Sequence, residues 1–167
     1  MSVSALSNLK SKLSPSPARA SRFLVTIDKT GFGGAEYLCH TSQLPGRTFA
    51  TTEQRTYGPI EKFPYLATYN DLDLTFYVDS KSNNIHKNFI DWMNEINPIS
   101  TNDFAYRSDY STTIHITQYD DVNTVIRQIK CTGAYPISMN QLDLDWSSEA
   151  FHNLTVTFAF TYWEQII

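Results

Sequence analysis

Three carboxylates in a short acidic and apolar alternation are the first residues that could do chemistry. Asp143, Asp145 and Glu149 lie within "YPISMNQLDLDWSSE", residues 135–149. Asp143 and Asp145 are two apart, so on a strand they would share one face, with Leu142, Leu144 and Trp146 packing on the other. Two carboxylates on one face could hold Ca²⁺, but a hard cation needs six to eight oxygens in a wrapped loop, and no such spacing or glycine pivot is present. The alternative is a solvated or interface-facing polar row on an amphipathic strand. His40, His86, His115 and His152 are scattered without H-x-x-x-H spacing, so zinc would need a convergence in space that the sequence does not announce. Cys39 beside His40 is no catalytic dyad, because neighbours on a strand point to opposite faces. "GFGG" is too short for a phosphate-binding loop and suits turn chemistry, and no nucleophile elbow or P-loop occurs. No catalytic residue, metal site or cofactor is therefore expected.

Aromatics offer a second chemistry. Tyr77, Tyr119, Tyr162 and Trp163 could stack sugars or single-stranded bases. Basic residues are not interleaved with them on the same segments, so core or interface packing is the simpler role. Charge points the same way. Residues 1–22 hold Lys10, Lys12, Arg19 and Arg22 with no acid, or +4, leaving 9 basic against 17 acidic residues, or −8, for the rest. An acidic body is poorly made for gripping phosphates, although DNA could pass along it. The two cysteines, Cys39 and Cys131, form no C-x-x-C pair; reduced, buried thiols in a cytosolic protein fit best, and a single disulfide stays open. "ARA" at 18–20 resembles a signal cleavage site but follows no continuous apolar run, so no secretory signal is expected, and no stretch reaches membrane-spanning length.

These residues must be positioned by one domain, since 167 residues support a single core more readily than two. Residues 1–20 read as a flexible basic arm, rich in Ser, Pro and Lys. Residues 21–167 read as the domain. "RFLVTIDKT" alternates with period two, and "AEYLCHTSQL" after the "GFGG" turn suggests a returning strand, hence a first hairpin. Residues 44–66 form a long Thr-rich segment fit for an extended ribbon but not for a buried strand. "DLDLTFYVD" puts Leu72, Leu74, Phe76 and Val78 on one face and Asp71, Asp73, Thr75, Tyr77 and Asp79 on the other. Residues 82–97 switch to helical spacing, with Ile85, Phe89, Trp92, Met93 and Ile96 on one face, Ser or Asn as the cap and Pro98 as the stop. "TTIHITQYD" and "TVIRQIKCTGAYP" flank "DVN" as a second hairpin, with Ile114, Ile116, Val125, Ile129 and Cys131 as core candidates. "LTVTFAFTYWE" alternates as one long final strand. The sum is mainly β: an antiparallel β-sandwich or barrel with one flanking α-helix. A two-faced sheet with open edges invites pairing with copies of itself.

The segment "GAYPISMNQLDLDWSSEAFHNLTVTFAFTYWE" resembles the C-terminal part of the tail tube proteins of contractile-tailed bacteriophages. "FIDWMNEI", "FLVTI" and "CHTSQLPG" resemble that family's helix, first hairpin and its exit, in the same order over residues 20–164. The resemblance implies the tail-tube fold in a structural virion subunit that is not an enzyme, assembled in the host cytoplasm. It also implies homohexameric rings stacked into a hollow tube inside a tail sheath, with baseplate and tail-terminator proteins as further partners. The genome would pass through the lumen without specific binding and without a membrane role. On that footing the 44–66 segment is expected to stack rings through Arg47, Phe49, Arg55, Tyr57, Lys62 and Phe63. The wet face of Asp71, Asp73 and Asp79 is expected to face the lumen, where negative charge repels DNA phosphate. The tube of a type VI or other contractile injection system is the alternative from the same class; a secreted carbohydrate-binding sandwich is the alternative from another.

Overall fold

The computed structural model describes residues 18–55, 57–79, 85–147 and 149–167. The arm expected over 1–20 falls almost wholly outside these residues, as do positions 82–84 of the expected helix with its capping Ser and Asn.

Among the described residues nine strands are present in chain order: β1 (Phe23–Ile27), β2 (Cys39–Ser42), β3 (Arg47–Gln54), β4 (Glu61–Tyr69), β5 (Leu72–Tyr77), β6 (Thr112–Tyr119), β7 (Val125–Met139), β8 (Asn153–Ala159) and β9 (Tyr162–Gln165). The helices α1 (Ile85–Ile96) and the single turn α2 (Arg107–Tyr110) fall between β5 and β6. Seven strands join in one antiparallel sheet in the order β1-β6-β7-β8-β5-β2, with β9 added beside β7. The 15-residue β7 makes the fold two-layered. Its first part pairs with β6 and β9, its last part with β8, so one strand feeds two sheets that face each other across the core.

Period-two patterning explains the core. Ile27, Ile114 and Cys131 stand side by side across β1, β6 and β7, as do Val25, Ile116 and Ile129 in the next row. The opposing layer pairs Leu72 with Phe158, Leu74 with Val156 and Phe76 with Leu154, all buried. α1 turns Ile85, Phe89 and Trp92 inward. The Phe89 ring lies 4.8 Å from Phe32, 5.4 Å from Phe76 and 5.9 Å from Phe158, a cluster of offset and edge-on rings that gains beyond its buried area. Trp92 completes its polar end by donating Nε1–H to the Tyr110 carbonyl at 2.8 Å, and Lys29 reaches Glu95 at 2.7 Å.

Four local expectations are corrected. The first hairpin does not form: β1 pairs with β6 and β2 with β5. Between them Gly31 and Gly34 take positive φ, Phe32 turns into the core, and Ala35–Tyr37 form a 3-10 turn. Alternation had named strands correctly without naming their partners. The final strand is two, because the chain bends at Phe160–Thr161 to leave β8 and restart as β9. Residues 142–146 are not a strand at all but a loop, in which Leu142 packs against the core as expected and residues 143–146 are exposed. Trp146, expected to pack, is fully solvent-exposed, and Leu144 is 87% exposed. Val125, expected in the core, is only half-buried.

The β7 bend has identifiable causes. Gly133 adopts φ +67°, the left-handed region that favours glycine. Arg107 Nη2 donates to the Gly133 carbonyl at 3.2 Å and to Thr161 Oγ1 at 2.7 Å, and its guanidinium lies over Tyr135. The Thr161 N–H donates to the Thr132 carbonyl at 3.0 Å. One arginine thus ties the bend in β7 to the break between β8 and β9.

Candidate assembly surfaces

Among the described residues β3 and β4 pair only with each other, as a two-stranded ribbon outside the main sheet. The expected 44–66 segment is this hairpin, and it runs on to Tyr69. Thr and aromatic residues make it strand-forming, while its lack of sustained apolar alternation leaves both faces wet: nearly every residue from Arg47 to Leu66 is exposed. An isolated two-stranded hairpin is marginally stable in water. The base is held from the body by Trp163, whose Nε1–H donates to the Gly46 carbonyl at 3.3 Å, and by Tyr69 against Phe160 at 6.0 Å between ring centroids.

The structure divides the six expected stacking residues. Arg47 and Phe49 lie two apart on β3, and the Arg47 guanidinium sits 4.7 Å from the Phe49 ring, close enough for a cation–π contact. Lys62 stands opposite Glu53 and pairs with it at 3.4 Å, on that same face. A register shift beyond Ala50 puts Phe63 opposite Thr52, so Phe63 projects to the other side. Arg55 lies past the end of β3, and Tyr57 is wholly exposed at the tip.

The three expected lumen acids are likewise split. Asp73 lies on β5 opposite Thr157 and accepts its hydroxyl at 2.6 Å; next to it the Thr75 and Thr155 hydroxyls meet at 3.2 Å. Thr41 extends this polar row on β2, giving a short-chain, hydroxyl-rich wall with one carboxylate set into it. Asp71 precedes β5 and Asp79 follows it, so neither is part of that row. Tyr77, on the same strand face, stacks on His40 at 4.1 Å.

Asp143 and Asp145, Leu144, Trp146 and Phe151 gather in the loop between β7 and β8, which encloses an open cleft of about 600 Å³. The Asn140 amide closes the loop's base by donating to the Asn153 carbonyl at 3.1 Å, while its Oδ1 accepts the Thr155 N–H at 2.7 Å. Asp145 accepts the Ser147 N–H at 3.0 Å and the Ser147 hydroxyl at 2.9 Å. Those bonds, the backbone one first, hold its carboxyl below the usual range. Sequence reasoning singled out these residues but placed them on an amphipathic strand and missed the loop. The signal available was Asp-x-Ser, whose side chain caps its own turn instead of continuing a strand.

Among the described residues no cluster of His, Cys, Asp and Glu could hold a metal ion. None of their helices is long and apolar enough to cross a membrane. Burial pushes the Cys39 and Cys131 thiols up to about 12, and both cysteines are free.

The model of the phage tail tube protein family matches residues 19–166. The tail tube protein gp19 of Enterobacteria phage T4 is 29% identical over 103 residues, which cover 58% of this chain and 61% of that protein's length. A chain of the sheath–tube complex of the PVC extracellular contractile injection system, in its extended state, superposes with a TM-score of 0.68 at 18% identity, covering 99% of this chain and 97% of that one. A chain of the anti-feeding prophage tube-terminating cap gives 0.68 at 20% identity, covering 89% and 90%. These structural likenesses establish a shared mainly β tube fold.

Proposed function

The chain belongs to the phage tail tube protein family, and from that premise we propose that it is the structural subunit of a phage tail tube, closing into hexameric rings that stack into a hollow conduit. The observation that carries this reading is the β3–β4 hairpin. It is a paired ribbon of about a dozen exposed positions with no sheet to rest on, and such a ribbon needs a neighbour to be stable. The adjacent ring is that neighbour, engaged through Arg47, Phe49 and Lys62 on one face and Phe63 on the other, with Arg55 and Tyr57 at the tip. The short strands at the ends of the main sheet, β1 and β2, are edges that ring closure would cover.

The wall of Thr41, Asp73, Thr75, Thr155 and Thr157 suits a lumen. The Thr75 and Thr155 hydroxyls bond each other and the Thr157 hydroxyl bonds the Asp73 carboxylate, and the wall offers DNA phosphate no cation to release counterions against. Asp71 and Asp79, at either end of β5, add negative potential at its mouths. The genome then slides without being bound. Around the tube stands a contractile sheath, with a baseplate at one end and a terminator at the other, the whole belonging to the virion tail and assembling in the host cytoplasm. The likeness to a chain of the PVC sheath–tube complex over almost the full length of both chains supports a second reading, a tube of another contractile injection device with cargo other than DNA.

Replacing residues 55–60 with a two-residue Asn-Gly turn tests the stacking role. The expected result, by electron microscopy and sedimentation, is single rings or soluble subunits that do not elongate. Tubes of normal length would refute it.

A further inference from the structure

Two apolar surfaces stand uncovered near opposite ends of β8. At the Asn153 end, the loop between β7 and β8 exposes Leu144, Trp146 and Phe151 at 85% or more around its open cleft, with Asp143 beside them. The cleft has a definite shape: Asn140 closes its base, the Asp145 turn folds its rim, and Phe151 stands edge-on to Tyr77 at 6.3 Å between ring centroids. At the other end the β3–β4 hairpin is rooted, by the Trp163 bond to the Gly46 carbonyl and by Tyr69 against Phe160. Its tip bends through Tyr57, Gly58, Pro59 and Ile60, with Gly58 at φ +97°, and presents a wholly exposed Tyr57 ring and an exposed Ile60 next to Arg55.

The two surfaces match in kind. A cleft of about 600 Å³ is the size that encloses a group of a few side chains, and the tip is a narrow turn led by one aromatic ring. Tyr and Trp buried against each other are favoured anchors of an interface. Charge agrees, since among the described residues neither Arg55 nor Asp143 forms an ion pair. The hairpin's acids lie behind the tip: Glu53 is held by Lys62, and Glu61 stands opposite Gln54. Within one chain tip and cleft do not meet, because Tyr57 and Trp146 are both wholly exposed. The seven residues of β8 put ~20 Å between the hairpin's root and the cleft.

We infer that the hairpin tip of one copy docks in the β7–β8 cleft of a copy in the adjacent ring, with Tyr57 and Ile60 against Leu144, Trp146 and Phe151 and with Arg55 facing Asp143. Each copy offers its tip from one end of β8 and its cleft at the other. The contact is therefore head-to-tail and repeats from ring to ring, which is the symmetry an open-ended stack requires. This docking rests on the stacking role proposed for the hairpin and names the surface that receives it.

The test mixes two full-length variants, Pro59→Cys at the tip and Ala150→Cys in the cleft wall, under mild oxidation, with electron microscopy of the same sample. Both changes leave the assigned contacts in place. A disulfide-linked species of twice the subunit mass in stacked rings, absent from either variant alone and from the wild-type chain with its native Cys39 and Cys131, is the expected result. Adding Arg55→Glu to the first variant should cut the yield about tenfold, because like charges then meet across the interface, and adding Asp143→Arg to the second should restore it. In the wild-type chain, assembly should shield the exposed Trp146 ring from acrylamide quenching, while Trp92 is buried throughout. Tubes without the linked species, or with Trp146 still open to the quencher, would overturn the docking and leave the tube reading intact. Subunits that never stack would overturn the two together. Linkage confined to single rings would overturn the placement between rings, and a yield indifferent to charge reversal would overturn the pairing of Arg55 with Asp143.

Discussion

Gly133→Ala probes the bend on which both sheets depend. Alanine at φ +67° costs about 1–2 kcal/mol for the left-handed conformation alone. Its Cβ would also lie 2.7 Å from Thr161 Oγ1 and 3.4 Å from Arg107 Nη2. Thr161 is exposed and can rotate away, but only by giving up the 2.7 Å bond from Arg107, a further loss of about 1 kcal/mol. The variant should therefore be about 2–3 kcal/mol less stable in urea-induced unfolding. Thr161→Ala alone should cost about 1 kcal/mol. The double variant should cost less than the two singles added, because the alanine at 161 removes the atom the new Cβ meets while the strain at φ remains. If Gly133→Ala unfolds at the wild-type midpoint, or if the two changes add in full, the bend is not held as described.

Phe89→Ala should lose about 3–5 kcal/mol by the same assay, since the ring is wholly buried among Phe32, Phe76 and Phe158, whereas Phe104→Ala, at 77% exposed, should stay within about 0.5 kcal/mol. Trp146→Ala should leave subunit stability unchanged in the same assay, because a fully exposed ring gives the isolated subunit little packing to lose. The buried Cys131 thiol, pushed up to about 12, stays neutral in the folded chain while an unfolded one ionises above about 9. The unfolded state then binds fewer protons, so stability should fall as pH rises from about 9 toward 12. Cys131→Ala should reduce that slope in pH-dependent unfolding, leaving the share that the likewise raised Cys39 thiol contributes; an unchanged slope would exclude Cys131 as a source.

Wherever alternation coincided with burial, the fold could be read in advance. β5 and β6 have clean apolar faces, and α1 has its Ile85, Phe89 and Trp92 stripe, so element type and core side followed from period alone. What alternation cannot carry is partnership. "AEYLCHTSQL" alternates well enough to suggest a hairpin, yet β2 belongs beside β5, some 34 residues later, because Gly31 and Gly34 let the chain turn Phe32 inward first. Nor can it say when a strand has no neighbour: "LDLDW" keeps the pattern and has nothing to pair with, and the Asp145 turn takes it out of the sheet. The break at Phe160–Thr161 is set by Arg107, more than 50 residues away. Among the candidate surfaces, the hairpin was legible as a segment too polar to be buried, but the division of its faces was not, since the register shift after Ala50 decides it.

The most direct measurement is electron microscopy of the purified full-length protein across a concentration series, with sedimentation on the same samples. Hollow rings of six subunits that lengthen into tubes as concentration rises are the expected result. A monomer that persists at every concentration, with the β3–β4 hairpin left uncovered, would contradict the tube assignment.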